Sequence, residues 1–247
     1  MERIDDLNIK GLKVIQNTDY FLFGMDSVLL ANMVKAKKED IILDLGTGSM
    51  VMPILISAKT NSKKIIGVEL QKEMYDLAVR NIQLNGLEER LSVINEDIKN
   101  IAEIRKEVIN ITGKDKVDII ISNPPYKVVG TGSESIGDVK YIARHEVKLS
   151  LEDIFKTVSK LLKNKGKLYI VHKPERMVDL LSFGRKYKLE AKNIKLLQPN
   201  KNKRPSIVII EYVLDGGNEC KIEPVIMEYN EDGSYTEEIL KIYGMEE

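Results

Sequence analysis

The chain has 247 residues, with 38 Lys and Arg balanced by 38 Asp and Glu, one Cys and two His. That length suits one large α/β domain with short additions, and it is enough to bury a sizeable core. Cys220 as the only cysteine excludes an intrachain disulfide, and with only His145 and His172 beside it no Cys/His metal site is expected. The segment Met1–Asp6 has no basic-then-apolar leader pattern, and no apolar run approaches the roughly 20 residues of a membrane span, so a cytoplasmic chain with no membrane association is expected.

A helix is expected over Asp26–Lys35, capped by Asp26 or Ser27. Beyond it, short Ile- and Val-rich runs alternate with longer helical patterns. Strands are expected at Ile41–Leu45, Lys64–Glu69, Leu91–Asn95, Val117–Ser122, Lys167–His172, Ala191–Leu197 and Ile207–Val213. Helices are expected at Val51–Lys59, Lys72–Leu84, Leu151–Leu162 and Arg176–Tyr187, with Asn85-Gly86 as a stop for the second of them. The pattern predicts an α/β fold: a mostly parallel seven-stranded sheet with helices on both faces. The last two strands have no helix between them, only Gln198–Pro205; an antiparallel edge pair is expected there, with a long crossing connection as the alternative. Lys127–Lys148 is polar and aperiodic and reads as a functional loop or lid, with Gly130-Thr131-Gly132-Ser133 as its hinge. The tail after Gly216 predicts a short strand and a helix at Thr236–Tyr243. Residues 1–39 thus form an N-terminal extension, 40–215 the core, and 216–247 an acidic C-terminal extension packed on it.

Three consecutive strand ends carry groups suited to a nucleotide-like cofactor. The first strand runs into Asp44-Leu45-Gly46-Thr47-Gly48-Ser49-Met50, a glycine turn where the chain can reverse and a ligand can approach the backbone. The second ends in Glu69, a carboxylate able to accept from both hydroxyls of a ribose, with Leu70 beside it. The third leads to Asp97, which can accept from an adenine amino group. Gly46 and Gly48 fit the first two positions of a dinucleotide fingerprint but Val51 stands at the third; Asp44 and Asp97 suit S-adenosylmethionine better.

The fourth strand is followed by Asn123-Pro124-Pro125-Tyr126. Two prolines fix the backbone direction and remove two N–H donors, leaving the Asn123 side-chain oxygen and the Pro124 carbonyl as acceptors. Two converging acceptors can hold both hydrogens of an NH2 group, while Tyr126 offers a flat face for a planar amide or base. Asn123 counts among the candidate cofactor contacts as well.

Together these motifs resemble class I amino-methyltransferases of the N-P-P-Y type, which are Rossmann-like and use S-adenosylmethionine. Phe23-Gly24-Met25-Asp26-Ser27-Val28-Leu29-Leu30-Ala31 and Ala143-Arg144-His145-Glu146 resemble the bacterial tRNA valine adenine-N6-methyltransferase group. That resemblance implies methylation of an adenine N6 in tRNA, with Phe23 and Asp26 near the methionyl end of the cofactor. Met50 stands where that family carries a third glycine. Within the same chemistry, protein-glutamine N5 and rRNA guanine-N2 methylation are alternatives. A non-catalytic RNA-binding module is a third, from a different class. Between Lys156 and Arg204 there are 15 Lys and Arg against three acids; from Pro205 to Glu247 there are two Lys against eleven acids. The basic stretch, and Lys201, Lys203 and Arg204 in particular, are candidate contacts for RNA phosphates.

Overall fold

The computed structural model describes residues 1–18, 20, 22–126 and 149–245. The expected lid Lys127–Lys148, with its hinge and His145, lies outside the described residues.

The alternation of apolar residues along the strands feeds two buried layers, one on each side of the sheet. In β3 (Ile41–Leu45), Ile42 joins one layer while Ile41, Leu43 and Leu45 join the other. The same split recurs in β4 (Lys64–Glu69), where Ile65 opposes Ile66 and Val68, and in β6 (Val117–Ser122), where Ile119 and Ile121 oppose Ile120. The first layer is closed by α1 (Met25–Met33), α2 (Val51–Lys59) and α3 (Lys72–Leu84). The second is closed by α4 (Ile101–Thr112), α5 (Leu151–Leu161) and α6 (Met177–Lys186). Helix α1 is buried from Asp26 through Ala31, as a helix sunk between sheet and neighbours must be. Its N-cap is Gly24 rather than Asp26 or Ser27: both side chains are turned toward other partners.

β5 (Leu91–Asn95), β7 (Leu162–His172), β8 (Leu189–Gln198) and β9 (Ile207–Leu214) complete the seven expected strands. Two-residue strands β10 (Lys221–Ile222) and β11 (Ile226–Met227) pair with β8, so the sheet has nine strands in all. The main path runs β10-β8-β9-β7-β6-β3-β4-β5. β8 and β9 form the antiparallel pair at that end, and β9 is also antiparallel to β7, so the reversed strand is inserted one place in from β8. β7 begins five residues earlier than expected: Leu162 pairs with Val117, and Lys163 reaches the Asp118 carboxylate. Helix α5 has a complete Ser150/Asp153 capping box. The acidic tail folds back along β8, where Glu238 pairs with Lys195, and ends in α7 (Glu237–Tyr243). No helix among the described residues is long and apolar enough to cross a membrane.

The sequence reading lacked α4 and an N-terminal hairpin, β1 (Glu2–Asp6) with β2 (Lys13–Asn17). The hairpin's outer edge is covered by two asparagines one turn apart on α3. Asn85 accepts from the Lys13 amide and donates to the Lys13 carbonyl, at 2.9 and 2.8 Å. Asn81 does the same for Ile15, at 2.7 and 3.1 Å, and donates again to the Ser49 carbonyl at 2.9 Å. The helix thereby completes the edge strand's hydrogen bonding and ties it to the glycine turn.

Asn81 is fully buried and Asn85 only partly. Asn81→Ala is therefore expected to lower the unfolding free energy by about 2–4 kcal/mol, since several buried polar groups lose their partner, and Asn85→Ala by about 1 kcal/mol. Urea denaturation of the two variants measures the contrast; equal losses would contradict the dependence on burial.

Candidate active site

The chain passes β3, β4 and β5 outward in one direction, then returns to place β6 on the other side of β3. This reversal opens a crevice at the carboxyl ends of β3 and β6, the usual ligand position of an open parallel sheet. Ser122 pins its floor: its hydroxyl donates to the Leu45 carbonyl at 3.0 Å.

On one side of the crevice the chain turns through Gly46, Gly48 and Met50, at φ +78°, +58° and +69°. The Gly46 and Thr47 amides both donate to the Val68 carbonyl at 3.0 Å, holding the turn on β4. Met50 is fully buried, and its sulfur accepts from the Thr47 hydroxyl at 3.1 Å. Both side chains fill the space above Gly67, where an added Cβ would come within 2.5 Å of Met50 Sδ and 2.6 Å of Thr47 Cγ2. The Met50 side chain therefore points into the core rather than into the crevice.

Asp44 lies buried beneath this turn. Thr47 Oγ1 donates to its Oδ2 at 2.7 Å, but Oδ1 has no hydrogen-bond partner. Burial lifts its pKa to about 7; the Thr47 hydrogen bond opposes the rise and the Glu69 carboxylate adds to it. Glu69, at the end of β4, accepts from the Gly48 amide at 2.8 Å and from the Gln71 amide at 2.9 Å, which fixes its carboxylate against the turn. Leu70 follows with 43% of its surface exposed. Beyond β5, Asp97 accepts from the Lys99 amide at 2.8 Å, and the Glu96 amide donates to the Glu69 carbonyl at 3.1 Å, holding this strand end beside its neighbour.

On the other side, β6 is followed by Asn123-Pro124-Pro125-Tyr126. The Asn123 side-chain nitrogen donates to Ser27 Oγ at 3.0 Å. The Tyr126 hydroxyl donates to Asp26 Oδ2, while Asp26 Oδ1 accepts from the Ser27 amide at 2.8 Å. Asp26 is thus turned to Tyr126. Phe23 is half-buried against the first core layer, with its amide donating to Gln16 at 3.1 Å. The Tyr126 ring lies 5.1 Å from the His172 ring, and Lys173 Nζ sits 5.1 Å from its centroid. Burial, reinforced by the charge of Arg176, pulls His172 down to about 4, so the imidazole is neutral at physiological pH. Lys201, Lys203 and Arg204 lie on the exposed turn between β8 and β9, at the same edge of the sheet, and Lys201 is paired with Glu231.

Ser27, His172 and Lys173 were not among the site residues expected from the sequence. The last two could have been found there, because they end a parallel strand at the ligand-binding edge; Ser27 depends on a contact 96 residues away in sequence.

Comparison with known proteins decides the family. Residues 23–192 match the model of the methyltransferase small domain, more than half of the chain. The chain belongs to this methyltransferase family. It is 28% identical over 192 residues to a tRNA1(Val) (adenine(37)-N6)-methyltransferase of Tolumonas auensis, covering 76% of this chain and 74% of that one. A protein of the same description from Porphyromonas gingivalis is 23% identical over 212 residues, covering 84% and 80%. In solved structures, a predicted O-methyltransferase from Agrobacterium tumefaciens superimposes with a TM-score of 0.69 at 20% identity, covering 90% of this chain and 97% of that one. The Rossmann-like class I methyltransferase fold is thereby shown, and the methyltransferase uses S-adenosylmethionine. The crevice fits that cofactor: a positive-φ glycine turn, a fixed carboxylate at the next strand end, and a buried Asp44 oxygen that lacks a donor.

The Asp44 pKa gives a signed prediction. The fold raises this carboxyl from its ordinary 3.8 to about 7, so its ionisation costs stability progressively as pH rises through that window, and the cost is complete above it. Asp44→Asn is expected to unfold at a higher temperature than wild type at pH 8, with the advantage vanishing below pH 4, and to bind S-adenosylmethionine more weakly. Thermal unfolding against pH, with calorimetry of cofactor binding, checks both; an advantage that does not change with pH would contradict the assignment.

Proposed function

We propose that this methyltransferase modifies the exocyclic N6 amine of an adenine in tRNA. What supports this reading is the N-P-P-Y segment following β6, across the reversal of strand order from the glycine turn, with the Asn123 amide nitrogen held by Ser27; Asn123 Oδ1 and the Pro124 carbonyl are the acceptors it offers. Bound S-adenosylmethionine supplies an activated methyl group. Gly46 and Gly48 let it approach the backbone, Glu69 takes the ribose hydroxyls, and Leu70 and Asp97 receive the adenine ring and its amino group. Asp44, beneath the glycine turn, belongs to the same cofactor side, and Phe23 and Asp26 are assigned to the methionyl end.

The chain's own part in the chemistry is orientation and charge stabilisation. Asn123 and Pro124 hold the two amine hydrogens and so direct the nitrogen lone pair toward the glycine turn. As the nitrogen is methylated it gains positive charge, its hydrogens become stronger donors, and the two contacts tighten. No strong base is needed before transfer. The neutral His172 beside Tyr126 adds no positive charge to this pocket. Tyr126 supplies the flat ring surface for the base, and Lys203 and Arg204, exposed at the same edge, take RNA phosphates. A glutamine amide would suit the two acceptors equally; the basic rim and the tRNA-modifying relatives favour RNA.

The ring of Tyr126 is held by its hydroxyl as well as by packing, so Tyr126→Phe removes the donor to a buried carboxylate and is not a silent change. Asn123→Ala is expected to slow single-turnover methylation of tRNA by about 10²–10³, the usual cost of one preorganised polar contact to the reacting centre. Cofactor affinity, measured by calorimetry on the same variant, is expected to stay within a few-fold of wild type. A wild-type rate for Asn123→Ala would contradict the mechanism.

A further inference from the structure

The first turn of α1 lies about 100 residues before the N-P-P-Y segment, yet it contacts both of that segment's functional side chains. Ser27 takes the Asn123 amide nitrogen, and Asp26 takes the Tyr126 hydroxyl. The two contacts are tied to each other, because the Ser27 amide donates to Asp26 Oδ1. Ser27 and Asp26 are 6% and 7% exposed, and α1 is packed tightly between α2 and β7, so the turn is a fixed platform.

We infer that Ser27 is a positioning residue for methyl transfer: its hydroxyl accepts from the Asn123 amide nitrogen and so presents the amide oxygen to the amine being methylated. This rests on the reading that Asn123 Oδ1 receives an amine hydrogen. A carboxamide has two ends of opposite character, an acceptor oxygen and a donor NH2. Rotated by half a turn, Asn123 would set its NH2 against the substrate's NH2, donor against donor. A serine hydroxyl can donate or accept, so it does not choose between the orientations in the empty site. Once the amine is present, only one arrangement satisfies every group: nitrogen on Ser27, oxygen on the substrate. Without the hydroxyl, neither end of the amide is held, and the productive orientation must be reached from a freely turning side chain. The effect falls on turnover and not on binding of either substrate, because it acts only where Asn123 meets the reacting nitrogen.

The test is a cycle of Ser27→Ala, Asn123→Ala and the double variant, with Ser27→Thr as the hydroxyl-keeping control. Ser27→Ala is expected to slow single-turnover methylation of tRNA by about tenfold, the scale of one lost hydrogen bond. Its KM for tRNA and its S-adenosylmethionine affinity are expected to stay within about twofold of wild type. Ser27→Thr should restore most of the rate, and Ser27→Ala should cost nothing further in the Asn123→Ala background. A wild-type rate for Ser27→Ala, or the same loss in both backgrounds, overturns the inference. Hydrogen exchange of the Asn123 side-chain NH2, followed by NMR on the free protein, separates this from the substrate reading. If wild type methylates no RNA, the proposed function fails; exchange that quickens in Ser27→Ala still supports the hold on Asn123, and unchanged exchange overturns it.

Discussion

The reversal of strand order between β3 and β6 is the constraint on which the site depends. In a parallel sheet every forward strand delivers its last residue to one edge, and the reversal leaves a gap in the helical cover at that edge. Here the gap separates two polar constellations. Asp44 and the glycine turn come from β3, Glu69 from β4 and Asp97 from beyond β5, all on one side. Asn123 to Tyr126 come from β6 on the other, joined by His172 and Lys173 from β7. No single segment could supply both; the crossing of the sheet does so without any long functional loop among the described residues.

Packing around the glycine turn shows how a local rule is broken and compensated. Met50 adopts a left-handed backbone conformation that costs a residue with a Cβ about 1–2 kcal/mol. It is retained because its side chain, with that of Thr47, fills the hollow over Gly67 on the next strand. The turn is further anchored by Asn81 through the Ser49 carbonyl, and Asn81 in turn carries the edge of the N-terminal hairpin. The crevice therefore leans on the first 33 residues twice: through the hairpin beside the glycine turn and through α1 beside the N-P-P-Y segment. Asp44 is the costly element of the arrangement. A half-satisfied buried carboxyl is expensive in a fold, and such sites are where function is commonly found.

Most of the sheet was legible in the sequence because parallel strands buried on both faces are written as short Ile/Val runs, and four of the seven forward and returning strands fall on the expected residues. Helices α2 and α3 also fall on the expected residues, α3 with Asn85-Gly86 as its stop. Helix α4 was hidden because only Ile104 and Val108 of its twelve residues are buried, too thin a stripe to announce a helix between two strands. The hairpin was hidden because β1 is almost wholly exposed and its partner strand is satisfied by asparagines of a distant helix. For the site, chain order sufficed to place Asp44, Glu69, Asp97 and Asn123 at strand ends. It could not show that Asp26 serves Tyr126, that Lys201 is already paired with Glu231, or that Met50 turns inward over Gly67, since each of these depends on a contact with another segment. The basic and acidic halves of the last third look separate on paper; in the fold the tail runs beside β8 and part of that charge is neutralised internally.

The central proposal is that two acceptors just beyond β6, Asn123 and Pro124, hold an adenine amine for methylation. The most direct measurement is incubation of the purified protein with labelled S-adenosylmethionine and total tRNA, in parallel with total protein, followed by digestion and identification of the labelled product. The account predicts N6-methyladenosine in the tRNA digest and no labelled amino acid. Label recovered as N2-methylguanosine or as N5-methylglutamine would contradict it.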